Sequence, residues 1–376
     1  MSQGPDEHGP SSAAESAEST ESAESAEGRQ AGYRDAAAAG IGVLQGWYSR
    51  RTGLWKTVGW WNSANALTAV IRYSQATGDR SYLAVAENTF TRAQRAFIKL
   101  QRRKRRFIND FFDDNLWWAL AWVAAGDLTP DEWYRERYRA AAQAIFAHCL
   151  SGWDDTCGGG LWWNEKRDYK NAITNELFLT LAALLAVRVP GQQEYRDWAL
   201  REWEWLHSSG LIGPSGLVND GLSAACANNG GTTWTYNQGV ILGGLAALHE
   251  LTGDQAYLRQ GEVIADAALR SLVDASGVLA EPGEAKAAGG NRDIPQFKGI
   301  FVRYLHDFSR HRRRPEYGAF LRANADSVLA RARNEAGQYG LHWSGPFDTA
   351  DASRQTSAVE VLTAALCLGT PAQASG

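Results

Sequence analysis

The chain has 376 residues, 44% of them hydrophobic and 21% charged, with a formal net charge of −4, an ordinary profile for a soluble globular protein. That slight acidity argues against general nucleic-acid binding, which needs a basic face to neutralise phosphates. No run approaches the roughly 18 apolar residues of a membrane-spanning helix, and no basic start followed by an apolar stretch marks a signal peptide, so a cytoplasmic location is expected.

Residues 1–30 are a Ser/Ala/Glu tract (SSAAESAESTESAESAEG) with too little apolar surface to offset its ordering entropy, and a disordered tail is expected. One domain, residues 31–370, should follow. From about Tyr33 two kinds of helix alternate. Ala64–Thr77, Asn115–Gly126, Leu177–Val187, Gly239–Leu251 and Ala358–Leu368 are apolar almost all round. Glu132–Cys149, Glu194–Ser208, Ala256–Leu272 and Glu316–Ala336 carry a charged face. A helix with one polar face lies at the surface and one without is buried on all sides. The alternation therefore predicts an outer ring of helices around an inner ring.

The connections repeat as well. Thr77-Gly78-Asp79, Ala125-Gly126-Asp127 and Thr252-Gly253-Asp254 read as a glycine C-cap followed by an aspartate opening the next helix. Gly53-Leu54, Gly160-Leu161, Gly216-Leu217, Gly277-Val278 and Gly340-Leu341 mark the opposite connections. Such self-similarity signals a repeat architecture, here an all-α (α/α)6 barrel of about twelve helices rather than an open solenoid, which would leave one face wet.

In such a barrel the inner helices begin at one rim, and polar, aromatic segments collect there. They are Trp60 to Asn65, Phe111 to Asn115, Lys170 to Glu176, Thr232 to Gln238, Pro295 to Gly299 and Ser353 to Ser357. Caps need one short polar residue each; several amides, carboxylates and indoles apiece suit a cleft for a polyhydroxylated ligand. Asp113-Asp114 is the sharpest feature. Adjacent residues at a helix start can hold carboxyls about 5 Å apart, the separation retaining glycosidases use. Close carboxylates repel, so one pKa should rise while the other stays low, separating an acid from a nucleophile.

Four cysteines, Cys149, Cys157, Cys226 and Cys367, show no metal-ligand spacing, and reduced thiols are expected. No metal or organic cofactor is expected either: no HExxH occurs, and Asp154 to Gly160 lacks the spacing of a calcium loop. The basic runs Arg102 to Arg106 and Arg310 to Arg314 read as solvated or as complementing a helix C-terminus, with the former also able to flank the cleft and favour an anionic sugar ligand.

At these residues the chain resembles glycoside hydrolase family 76, the endo-α-1,6-mannanases. The likeness runs through GLWKTVGWWNSANALTAV, FINDFFDDNLWWALAW, CGGGLWWNEKRDYKNAITNELF, GLVNDG and WTYNQGVILGGLAALHELTGD. It implies an (α/α)6 barrel that cleaves α-1,6-mannosidic bonds with retention, with Asp113 as nucleophile and Asp114 as general acid/base. Asp220 is implied as a sugar-binding residue. Trp61, Asn65, Asn115, Asn171, Asn175, Tyr236, Asn237 and Gln238 join it as candidate substrate contacts because they share the rim. The implied partner is mannan or a mannose-containing oligosaccharide or glycoconjugate. A sugar epimerase or isomerase on the same barrel, with His306 and His342 approaching the cleft, and a non-catalytic mannan-binding protein are the alternatives.

Overall fold

The computed structural model describes residues 12–100, 106–284 and 290–368. Of the first basic run, Arg102 to Arg105 lie outside the described residues and Arg106 is exposed. Six helices form an inner ring: α2 (Trp60–Thr77), α4 (Phe112–Leu128), α6 (Ala172–Arg188), α8 (Thr235–Thr252), α10 (Phe297–His311) and α12 (Ala352–Cys367). Each packs on the next and α12 packs back on α2, so the ring is closed. Outside it lie α1 (Ser12–Gly46), α3 (Leu83–Leu100), α5 (Glu132–Cys149), α7 (Gln193–Ser208), α9 (Gln255–Ser271) and α11 (Pro315–Arg331). The (α/α)6 toroid stands and the open solenoid falls. No helix among the described residues is long and apolar enough to cross a membrane.

Helix α1 begins at Ser12, and residues 1–11 lie outside the described part. Ala and Glu are strong helix formers, and docking of the later turns, with Tyr33 and Ile41 buried, supplies the nucleus of α1. The glycine caps hold at Gly78 and Gly253, both left-handed, with φ of 75°. They do not hold at Gly126, because α4 runs on to Leu128 and Asp131 caps α5 through Trp133 N and Tyr134 N.

Connections from inner to outer helices are short, whereas those from outer to inner are long and contain small hairpins. A two-stranded ribbon joins Tyr48–Ser49 to Leu54–Trp55. Isolated antiparallel bridges pair Trp153 with Leu161, Ile212 with Val218, Val273 with Leu279 and Arg333 with Tyr339. All these long loops gather at the rim where the inner helices begin.

The inner helices are less uniformly apolar than their sequence suggests. On α10 the buried Arg303 donates to Glu360 of α12 at 2.9 Å and to Asn65 of α2 at 2.9 Å. Further down, Arg72 makes a two-pronged pair with Asp307. Close backbone approach draws the rest together. A Cβ on Gly239 would lie 2.6 Å from Phe301 Cα, and one on Gly299 would lie 2.4 Å from Ser357 Cα, which only glycine tolerates.

Candidate active site

Asp113 and Asp114 stand half-buried in the first turn of α4. The loop in front of α6 crosses this helix start: Phe112 N donates to Trp163 O at 2.9 Å, and Phe111 bridges Asn164. Trp163 is thereby placed so that its Nε1 donates to Asp113 Oδ2 at 3.1 Å. Asp114 Oδ2 accepts from Asn109 Nδ2 at 2.6 Å. The expected split, one pKa raised and one low, is replaced by two raised values. Burial lifts Asp113 to about 7 against the bond from Trp163. Burial and then the charge of Asp113 lift Asp114 well above the usual carboxylate range.

The belt of loops continues to Asp220. Trp163 N donates to Tyr169 O, Ala172 N to Asp220 O and Leu222 N to Lys170 O. Asp220 accepts from Tyr169 Oη at 2.5 Å and from Trp234 Nε1 at 3.0 Å. Tyr236 lies flat on Phe297, with ring centroids 4.0 Å apart. Its hydroxyl pKa is driven well up by burial and by the carboxylates of Asp220, Asp113, Glu176 and Asp293. Trp61 stacks on Trp117 at 5.8 Å. Asp113, Asp114, Asp220, Tyr236 and Trp61 thus lie near one another at the rim where the inner helices begin.

Other expected contacts have different work. Asn115 accepts from Asn109 N and donates to Asn109 O. Asn175 does the same with the backbone of Leu161, and Gln238 with that of Val218. All three are fully buried, so their amides hold loop backbone and are corrected from substrate contacts to loop clamps. Asn65 is also buried, its Oδ1 taken by Arg303. Asn237 is shielded from solvent, and neither side-chain polar atom has a hydrogen-bond partner among the described residues; Glu176 and Gln296 share that state. Asn171 sits at the α6 start with Oδ1 unpaired among the described residues.

Sequence reasoning missed Asn109, Trp163, Tyr169, Trp234 and Asp293, all in loops that precede inner helices. Their signal was weak because a loop residue's aim depends on the fold of its whole loop. His306 falls late in α10, away from the rim, beside Asp307. His342 Nδ1 lies 2.7 Å from Glu284, whose other oxygen is taken by Lys298. The two histidines therefore form no pair. The second basic run closes α10 in ion pairs of Arg312 with Glu262 and Arg314 with Asp266.

Two features reshape the loop at Asp154 to Gly160. The buried Lys170 Nζ donates into it, to Asp154 Oδ1 at 3.0 Å and to the carbonyls of Thr156, Gly159 and Gly160 at 2.6, 2.6 and 2.9 Å. An ammonium therefore fills the oxygen cage. The expectation of four reduced thiols is corrected: Cys157 is disulfide-bonded to Cys226, Cα atoms 5.1 Å apart, tying this loop to the one that follows Asp220. The two cysteines lie 69 residues apart, a separation that hid their proximity.

Comparison with known proteins places this cleft among relatives. The model of glycosyl hydrolase family 76 matches residues 35–375. The mannan endo-1,6-alpha-mannosidase DCW1 of Saccharomyces cerevisiae is 32% identical over 282 residues, covering 69% of this chain and 61% of that protein. DCW1 of Candida albicans is 33% identical over 207 residues, covering 51% and 46%. The chain spans about half to three-fifths of the length of these curated relatives. Among solved structures, an inactive variant of the alpha-1,6-mannanase of Salegentibacter sp. HEL1_6 has two adjacent aspartates replaced by alanine and is in complex with alpha-1,6-mannotetrose. It matches with a TM-score of 0.77 at 25% identity, covering 89% of this chain and 99% of that one.

Proposed function

We propose, from the premise that this chain belongs to glycosyl hydrolase family 76, that it hydrolyses α-1,6-mannosidic bonds with retention of configuration. The observation that carries this reading is the different donor given to each carboxyl of the adjacent pair: an indole N–H on Asp113 and an amide on Asp114. The Trp163 bond favours ionised Asp113, while the charge of Asp113 favours protonated Asp114. In the first step the Asp113 carboxylate attacks the anomeric carbon as Asp114 gives its proton to the departing glycosidic oxygen, leaving a mannosyl ester. In the second, Asp114 takes a proton from water as that water attacks the same carbon, freeing the sugar and restoring Asp113. The inactive Salegentibacter variant, altered at two adjacent aspartates, supports giving the reaction to the adjacent pair Asp113 and Asp114.

The test is incubation of the protein with linear α-1,6-mannan beside Asp113→Asn and Asp114→Asn. Oligosaccharide release by the parent and a loss of at least a thousandfold in both variants is the expected result. The anomer first formed, read by proton NMR, should be α. A β anomer would overturn retention, and undiminished turnover in either variant would overturn the pair.

The location is proposed anew. Disulfides persist in oxidising compartments and are rare in reducing cytosol. The Cys157–Cys226 bond therefore favours an exported or otherwise oxidising setting over the cytoplasmic expectation.

A further inference from the structure

The end of the barrel opposite the rim holds a cavity that the reaction above does not use. It lies where α4 and α6 finish and α5 begins, and its volume is about 110 Å³. At about 1.5 Å of rise per residue, roughly 20 Å of α4 separates Gly126, in its lining, from Asp113. The floor is apolar, with Trp122 and Leu185 both buried. The walls are charged. Arg135 and Arg139 come from α5, Arg188 from the end of α6 and Asp127 from the last turn of α4.

Arginines near the ends of helices commonly complement the carbonyls there, and two of these three have such local partners. Arg135 donates to the carbonyls of Thr129 and Pro130 at 3.1 and 3.3 Å, just past α4. Arg139 pairs with Glu136, one turn back, at 2.9 Å. Arg188 is different. Its Nε and Nη2 hold Asp127 Oδ2 at 2.8 and 2.7 Å, whereas its Nη1 is shielded from solvent with no acceptor among the described residues. The Nε1 of Trp122, whose indole belongs to the floor, is in the same state. Shielded donors without acceptors are costly, the more so when charged, and an acceptor in the cavity removes that cost.

We infer that this cavity binds a small oxyanion of the phosphate type, held by Arg188 Nη1 together with Arg135 and Arg139. Guanidinium groups present paired N–H donors in a planar fork that matches such ions. Asp127 and Glu136 are each already paired with an arginine, so one positive charge of the cluster remains for the ion. Size agrees as well. Pockets for organic ligands begin at about 300 Å³, so about 110 Å³ admits the ion, or the phosphate end of a larger molecule whose remainder stays outside. The site is independent of the mannosidase reading.

The test is a phosphorus NMR titration of the full chain with inorganic phosphate at constant ionic strength, which holds general screening fixed. The parent should shift and broaden the phosphate line saturably. Loss of one bond from a charged donor predicts binding about tenfold to a hundredfold weaker for Arg188→Gln, and Arg139→Gln should weaken it as well. Arg259→Gln, exposed on α9 and outside the cavity, should bind like the parent. Phosphate should also raise the thermal midpoint of the parent more than that of Arg188→Gln. Phenyl phosphate binding as tightly as inorganic phosphate would assign the site to a phosphate carried on a larger molecule; binding of the inorganic ion alone would assign it to the free ion. No saturable shift in the parent, or equal affinity in the parent, Arg188→Gln and Arg139→Gln, would overturn the site.

Discussion

Asp113 shows how one donor sets the working range of an acid. On the proposed reaction, its pKa of about 7 means that below neutrality Asp113 is protonated and cannot attack. Catalytic efficiency should climb with pH through about 7 and fall again when Asp114, whose pKa burial and the charge of Asp113 raise, loses its proton, the two limbs belonging to the pair as a whole. The bond from Trp163 stabilises the ionised form, so its removal must raise the pKa. Trp163→Phe should therefore shift the acid limb of kcat/KM to higher pH, with the largest loss below neutrality. A pH–rate profile checks this, and an unmoved acid limb would mean that Trp163 only packs.

At the scale of the helix, one device recurs. The fourth residue of an inner helix turns back to hold the backbone of the loop before it. Ser63, Asn115, Asn175, Gln238 and Gln355 take the N–H groups of Trp55, Asn109, Leu161, Val218 and Tyr339. Replacing Asn175 by Leu orphans the buried N–H and C=O of Leu161, at about 1–3 kcal/mol each. Urea denaturation should show a destabilisation of about 2–6 kcal/mol. Gln355→Leu, two helices round the ring from the pair, should lose comparable stability while kcat stays close to that of the parent. Loss of kcat without loss of stability in Gln355→Leu would contradict a clamp.

This device also explains what could be read from the sequence. Alternating apolar and charged-faced helices give a barrel on periodicity alone, and an aspartate pair opening a tryptophan-rich helix marks the chemistry. The amides misled because Asn and Gln bind a sugar hydroxyl and a peptide group equally well; which they meet depends on the loop folded above them. Their common position was legible as a pattern but not as a purpose. Asp293 had the opposite fault. In a polar, glycine-bearing loop it resembles any exposed aspartate, and its partner Trp61 lies 232 residues earlier.

Across the whole molecule, the Cys157–Cys226 bond closes a loop of 69 residues, for which chain entropy gives about 4 kcal/mol of stabilisation. Reduction should lower the denaturation midpoint accordingly. Alkylation and mass measurement before and after reduction should count first the two free thiols, Cys149 and Cys367, and then all four. Four accessible thiols in the unreduced, unfolded protein would refute the bond. The closed ring has a further consequence. Helix α12 is buried from Ala352 to Leu366 and lies between α10 and α2, so the earliest inner helix lacks this neighbour until the five inner helices that precede α12 have all been made. A chain arrested during synthesis would carry both aspartates yet present an open, apolar seam to the proteostasis machinery. The ring thus closes only when its sixth inner helix docks, as the keystone between the first and the fifth.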